Sequence, residues 1–184
     1  MNFVEHSNLK GLHATFSPSQ PYWLRYEDEK VIETFLNKQA AKLGTEMHEY
    51  AATAIKLGIK QPRSKKTIYA YINDAIGFKM SPEVVLFYSE NFFGTADAIS
   101  FRNDELRIHD LKTGKTPASM DQLLVYAALF CLEYRVKPGE IKIELRLYQN
   151  DEILYAEPTA EDILPIMDHI IHVDKIVQRL KEEV

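Results

Sequence analysis

Two aspartates and a lysine, Asp97, Asp110 and Lys112, have the types and spacing that hydrolytic metal chemistry needs. They sit in two apolar β-type runs, Phe92 to Phe101 and Glu105 to Lys112, separated by Asn103-Asp104, residues that tolerate turn geometry. A two-residue loop there pairs Arg102 with Glu105. Counting back along both strands sets Phe101 opposite Leu106, Ile99 opposite Ile108 and Asp97 opposite Asp110, with Thr95 opposite Lys112. Strand parity then predicts one face carrying Phe93, Thr95, Asp97, Ile99 and Phe101, and a matching face carrying Leu106, Ile108, Asp110 and Lys112. Directly opposed residues have Cβ atoms only about 5 Å apart. Two carboxylates that close repel, and burial raises the cost. A hard divalent cation between them removes the conflict.

Such a cation polarises a phosphoryl group and lowers the pKa of a bound water. A lysine beside it can orient or help deprotonate that water and offset developing charge. The plain alternative is a surface hairpin with an Asp110–Lys112 neighbour pair and a solvated Asp97. Gly94 and Gly114 allow close approach of a backbone or substrate. Thr113-Gly114-Lys115 supplies donors and a cation ahead of a helix expected from Pro117, and helix N-termini attract phosphate. A simple strand-to-helix turn is the competing reading.

The elements that must position these groups follow from periodicity. Ser17-Pro18-Ser19 reads as a helix start, with Trp23 and Leu24 one turn on. A long helix is predicted over Val31–Ile59 and a second over Ser64–Ile76, stopped by Gly77. Val84 to Tyr88 is a strand. Pro117 to Tyr134 is a helix. Ile141, Ile143, Leu145 and Leu147 alternate with Lys142, Glu144, Arg146 and Tyr148 in a fourth strand, and Ile153 to Ala156 returns as a short fifth. From Ala160 an amphipathic helix turns Ile163, Met167, Ile170, Val177 and Leu180 inward. This order predicts an α/β fold: a central mixed sheet flanked by helices, with N-terminal helices added. One domain is expected over 1–184, mainly helical in 1–80, a sheet core in 81–157 holding a helix over 118–134, and a closing helix over 160–182.

Composition bounds the rest. The chain has 184 residues, 46% apolar and 27% charged, as in ordinary globular proteins. No apolar run approaches the roughly 18 residues of a membrane span, and Met1 to Lys10 has no secretory pattern. The lone Cys131 excludes an internal disulfide framework, a cysteine-rich zinc site and a four-cysteine iron–sulfur cluster. A reducing cytoplasmic setting is expected. No Walker-type phosphate loop is present. The net charge of −5 argues mildly against nucleic acid, although local distribution outweighs the sum.

The blocks Gly94-Thr95-Ala96-Asp97-Ala98-Ile99, Asp110-Leu111-Lys112-Thr113-Gly114-Lys115 and Gln122-Leu123-Leu124-Val125-Tyr126 resemble the PD-(D/E)XK nuclease superfamily, and most of all its RecB-like exonuclease branch. Gly44-Thr45-Glu46-Met47-His48-Glu49 is similar to that branch's histidine-bearing helix. The four blocks keep family order across residues 44 to 126. The resemblance implies a restriction-endonuclease-like core, with Asp97 and Asp110 as metal carboxylates, the Leu111 carbonyl as a further ligand, Lys112 as catalytic lysine and His48 as a ligand from the helix. Gln122 and Tyr126 would line the site and contact DNA, with Thr113 and Lys115 nearby. Glu49 is a lesser candidate. It implies Mg²⁺ or Mn²⁺ as cofactor and DNA as substrate, in bacterial or phage replication, recombination or repair. A recombination or single-strand-binding protein is the partner class such an enzyme meets. A structure-specific endonuclease and an inactive nucleic-acid-binding or assembly module are the rivals. Alone, a histidine on an apolar helix edge is ordinarily structural, Gln122 and Tyr126 could simply pack, and Lys60, Arg63, Lys65 and Lys66 could be a solvated loop or a track for a DNA backbone.

Overall fold

The structure, a computed structural model, describes residues 4–183. The chain divides into two compact units, one ending at Thr45 and the other beginning at Glu46. In the first, the expected helix start at Ser17 is instead a bend leading into a short 3₁₀ turn, Pro21–Arg25. The Trp23 indole donates to the Ser17 carbonyl across 3.1 Å. Helix α1 (Asp28–Leu57) begins in the first unit and ends in the second.

The second unit contains helix α2 (Thr67–Gly77), strands β1 (Ser81–Ser89), β2 (Phe92–Arg102) and β3 (Glu105–Leu111), helix α3 (Asp121–Tyr134), strands β4 (Lys142–Gln149) and β5 (Glu152–Ala156), and helix α4 (Ala160–Glu182). The strands form a sheet in the order β1-β2-β3-β4-β5. β3 and β4 are parallel and the other neighbours antiparallel, because α3 carries the chain across the sheet between them. This is the expected mixed α/β sheet flanked by helices. Among the described residues no helix is long and apolar enough to cross a membrane.

Two cores cover the two sheet faces. Leu106, Ile108, Leu145 and Leu147 pack with Leu123, Ala127 and Phe130 of α3 and Ile163 and Ile170 of α4. On the other face Leu111, Ala98 and Tyr148 pack with Ala51, Ala54 and Ile55 of α1 and Tyr71 and Ile72 of α2. The second face is partly polar. Glu144, Arg146, Tyr148, His109 and Asp74 are knit together there: Tyr148 Oη donates to Asp74 Oδ2 (2.7 Å) and Arg146 Nε lies 2.9 Å from Glu144 Oε1. Burial first, then the charges of Arg146 and Arg107, pull His109 down to about 3, so it stays neutral.

Asn103 and Asp104 form the β2–β3 turn, both in left-handed backbone (φ 52° and 57°), as a two-residue hairpin loop requires. The pairs run Arg102 with Glu105 through Ala98 with His109, in the predicted register. The predicted parity fails at one point. Gly94 and Ala96 face α3, Ala98 joins the opposite core, and Ile99 and Phe101 return to the α3 side. Phe93 instead lies exposed beside Phe87. The break falls at Asp97, and in β1 at Glu83, whose φ is +54°. The ladder pairs Pro82 with Ala98 and Val84 with Ala96 and skips these two carboxylates.

Two further expectations are corrected. The helix expected from Pro117 begins at Asp121, since the buried Gln149 side chain holds the preceding loop, which bends at residues 114–116, donating to the Gly114 and Thr116 carbonyls (both 2.7 Å) and accepting from the Ala118 N–H (3.0 Å). Leu180 is exposed rather than inward. The last turns of α4 are tied by polar contacts to the β1–β2 turn, with Lys181 Nζ donating to Asn91 Oδ1 at 2.8 Å. Because Ile108 has no exposure and is enclosed on both sides, Ile108→Ala should cost about 2–5 kcal/mol in urea unfolding.

Candidate metal centre and its lysine

Asp97 sits where β2 changes face, so its side chain is freed from the regular alternation. Its Oδ2 accepts the Leu111 N–H at 2.9 Å, one residue past Asp110 on the neighbouring strand. The same oxygen lies 3.4 Å from His48 Nδ1. His48 comes from α1, whose buried Ala51 and Ala54 belong to the core on that sheet face. Hydrogen bonding to Asp97 raises the His48 pKa against the opposing pull of burial.

Asp110 is 1% exposed. Lys112 Nζ donates to its Oδ1 at 3.2 Å and lies 3.0 Å from its Oδ2. Burial, then the charge of Asp97, pushes the Asp110 carboxyl above the usual range, while Lys112 and His48 pull it down. The expected carboxylate conflict is therefore present, and Lys112 is the cation that partly relieves it.

The lysine is itself held. Its Nζ donates to Gln122 Oε1 (2.6 Å), Gln122 Nε2 donates to Tyr126 Oη (3.0 Å), and Tyr126 Oη donates to the Thr95 carbonyl (2.7 Å). Gln122 and Tyr126 are one turn apart on α3 and so reach the same side of β2 and β3. Gly94 makes this possible. A Cβ there would stand 2.9 Å from Tyr126 Cε1, so the close approach is made by the tyrosine ring.

The histidine brings in a residue that the sequence reading missed. His48, Glu83 and Asp97 each offer a ligand atom, and these atoms lie within 4.8 Å of one another. Glu83 lies just before the strand expected from Val84. Its nearest signal was its place after Pro82, at the opening of an apolar run. Burial, then the charge of Asp97, raises the Glu83 pKa. An imidazole and two carboxylates suit a divalent cation in chemistry and in spacing.

Other expected members stand apart. Glu49 is exposed on α1 and outside this cluster. Thr113 and Lys115 are exposed in the loop that Gln149 holds, and not at a helix N-terminus. Thr113 does line a cleft of about 420 Å³ with Leu111, Lys112, Lys66, Thr67 and Asp151. Lys60, Arg63 and Lys65 are exposed on the segment between α1 and α2.

Asp110 has a raised folded-state pKa, so its ionisation favours the unfolded chain. That contribution is absent below the unfolded value and grows as pH rises through the folded one. Asp110→Asn should therefore raise the melting temperature of the metal-free protein at pH 7, by about 2–4 °C for each kcal/mol relieved. An unchanged or lower melting temperature would contradict this account. Gly94→Ala should destabilise by about 1–3 kcal/mol, because Tyr126 is pinned by two hydrogen bonds and cannot simply swing away. Denaturant midpoints would read this directly.

No protein-family model, curated protein or solved structure matches the chain.

Proposed function

We propose that the chain is a metal-dependent phosphodiester hydrolase acting on DNA, an exonuclease of the RecB-like PD-(D/E)XK type. The observation that carries this reading is the pair of buried Asp110 with half-buried Lys112, set beside the Asp97–His48 pair. A structural site gains little from a carboxylate at 1% exposure beside another carboxylate, whereas a hydrolytic site uses both. Asp97, Asp110, His48 and the Leu111 carbonyl are the proposed ligands of Mg²⁺ or Mn²⁺. A cation so held would polarise a phosphoryl oxygen and acidify the attacking water.

Each residue then has a task. Lys112 presents its ammonium where charge builds on the phosphoryl oxygens, and can orient the water. Gln122 and Tyr126 keep Nζ from swinging into solvent, which preserves its aim. Thr113 and Lys66, at the adjoining cleft, and Lys115 in the neighbouring loop are the proposed contacts to a DNA backbone. DNA as partner and a role in recombination or repair belong to this proposal.

End-labelled linear single- and double-stranded DNA and closed circles, each with Mg²⁺ or Mn²⁺, form the test. Linear substrates should be degraded from their ends, and Asp110→Asn and Lys112→Ala should each lower the rate on the order of 10²–10⁴-fold. Cutting of closed circles would replace the exonuclease with an endonuclease. A wild type that cuts nothing but retains DNA would support a binding module.

A further inference from the structure

We infer that the Tyr71 hydroxyl is a substrate-binding donor, taking one non-bridging oxygen of the phosphodiester from the α2 side while Lys112 takes the other from the α3 side. The inference rests on the hydrolase reading for its substrate. It adds a residue from α2, an element that none of the four sequence blocks includes.

Three features carry it. The first is a missing partner. Tyr71 is 2% exposed, and among the described residues its hydroxyl makes no hydrogen bond within the chain. A buried tyrosine ordinarily finds a partner for its O–H. Its neighbour does: Tyr148, whose ring meets that of Tyr71 edge to face at 5.4 Å, donates to Asp74 Oδ2 at 2.7 Å. Tyr71 Oη is also not one of the sealed, unpaired polar atoms of the core, so it borders space that a ligand can enter. The second feature is place. Tyr71 belongs to the core that holds Ala51, Ala98 and Leu111. Each of these adjoins a member of the site: Ala51 stands one helical turn after His48, Ala98 follows Asp97, and Leu111 follows Asp110. Burial, then the charges of Asp97, Glu83 and Asp110, push the Tyr71 pKa up. The phenol is a neutral donor within reach of the field of all three carboxylates, and it keeps its proton at neutral pH.

The third is chemistry. The non-bridging oxygens of a phosphodiester accept hydrogen bonds, and a cluster of carboxylates offers them none. Lys112 brings donors from the α3 side, where Gln122 Oε1 holds its Nζ at 2.6 Å. On the other face His48 is engaged with Asp97 at 3.4 Å, which leaves Tyr71 Oη there as a buried donor without an acceptor. A hydroxyl serves the oxygen without adding charge to the centre. Its ring is already packed, so little side-chain freedom is lost when the oxygen arrives.

The test is Tyr71→Phe in the full chain, which removes the hydroxyl and keeps the ring. Its melting temperature without metal should equal or exceed that of wild type, because the hydroxyl has no partner to lose. Inorganic phosphate, titrated by calorimetry in the presence of Mg²⁺, should bind the variant about tenfold more weakly than wild type, as the loss of one hydrogen bond to an anion implies. Phosphate should also shift the near-ultraviolet tyrosine absorbance of wild type, and this difference spectrum should be absent from Tyr71→Phe. On end-labelled linear DNA, kcat/KM should fall about tenfold or more. A variant that binds phosphate as wild type does, a wild type that binds none, or a variant that melts well below wild type overturns the inference, the last because it would make the hydroxyl structural. The hydrolase reading fails separately, on a wild type that binds phosphate through Tyr71 and cuts no DNA.

Discussion

The Leu111 N–H donates to Asp97 Oδ2 across 2.9 Å, just past the last regular pair of β2 and β3, Ala98 with His109. Up to that pair the hairpin is an ordinary antiparallel ladder with apolar residues on its α3 side. Beyond it a side chain takes a main-chain donor, and one carboxylate is fixed near another, Asp110. A charge-assisted bond to a main-chain N–H is stronger than a neutral one and needs no mobile partner. Asp97 is thereby held in a place that its own electrostatics oppose.

That opposition explains the neighbours. His48 and Lys112 are the two basic groups that bond to the carboxylates, one on each aspartate. Each arrives from an element with its own anchor. Lys112 follows β3 directly, and its main-chain N–H donates to the Tyr148 carbonyl at 2.9 Å. Tyr148 is fully buried in the face that holds Asp74, Arg146 and His109. A polar network of this kind costs stability unless its members are satisfied, and satisfied it admits few alternative packings. Here Tyr148 is hydrogen-bonded to Asp74, whereas Glu144 Oε1 and Arg146 Nε meet only as an ion pair, and the parallel β3–β4 pair beside them carries Asp110 and leads into Lys112.

Much of this was legible from residue types. Asn103-Asp104 set the turn and the turn set the register as far as Ala98 with His109; the expected Asp97–Asp110 and Thr95–Lys112 pairs lie beyond the ladder, where Asp97 takes the Leu111 N–H instead. The parity rule failed where two strands change face together, at Glu83 and Asp97. Strict alternation assumes regular pleating, and a left-handed residue within β1 is a tertiary event that Pro82-Glu83-Val84 does not announce. Glu83 was missed for that reason, and because its nearness to His48 joins a strand to a helix through space alone. Gln149 was invisible in the same way. Its side chain does the work of a turn for a loop 33 to 35 residues away, and it delays α3 to Asp121.

The net charge of −5 looked unfavourable for a polyanionic substrate. Local arrangement changes its meaning. The acidic groups that matter are gathered at one point, where two of them are tied to His48 and Lys112. Lys66 borders the adjoining cleft, and Lys60, Arg63 and Lys65 are exposed on the segment that leads into α2. In the proposed nuclease, a phosphate entering the cleft would meet Lys66 and Lys112, and the carboxylates would become attractive only through a cation between them. Under the proposed function, the same acidic centre that would repel bare DNA would make binding of a phosphodiester depend on the metal. In the proposed nuclease, affinity for DNA and competence to cut it would be coupled through one electrostatic requirement, which a globally basic surface would not impose.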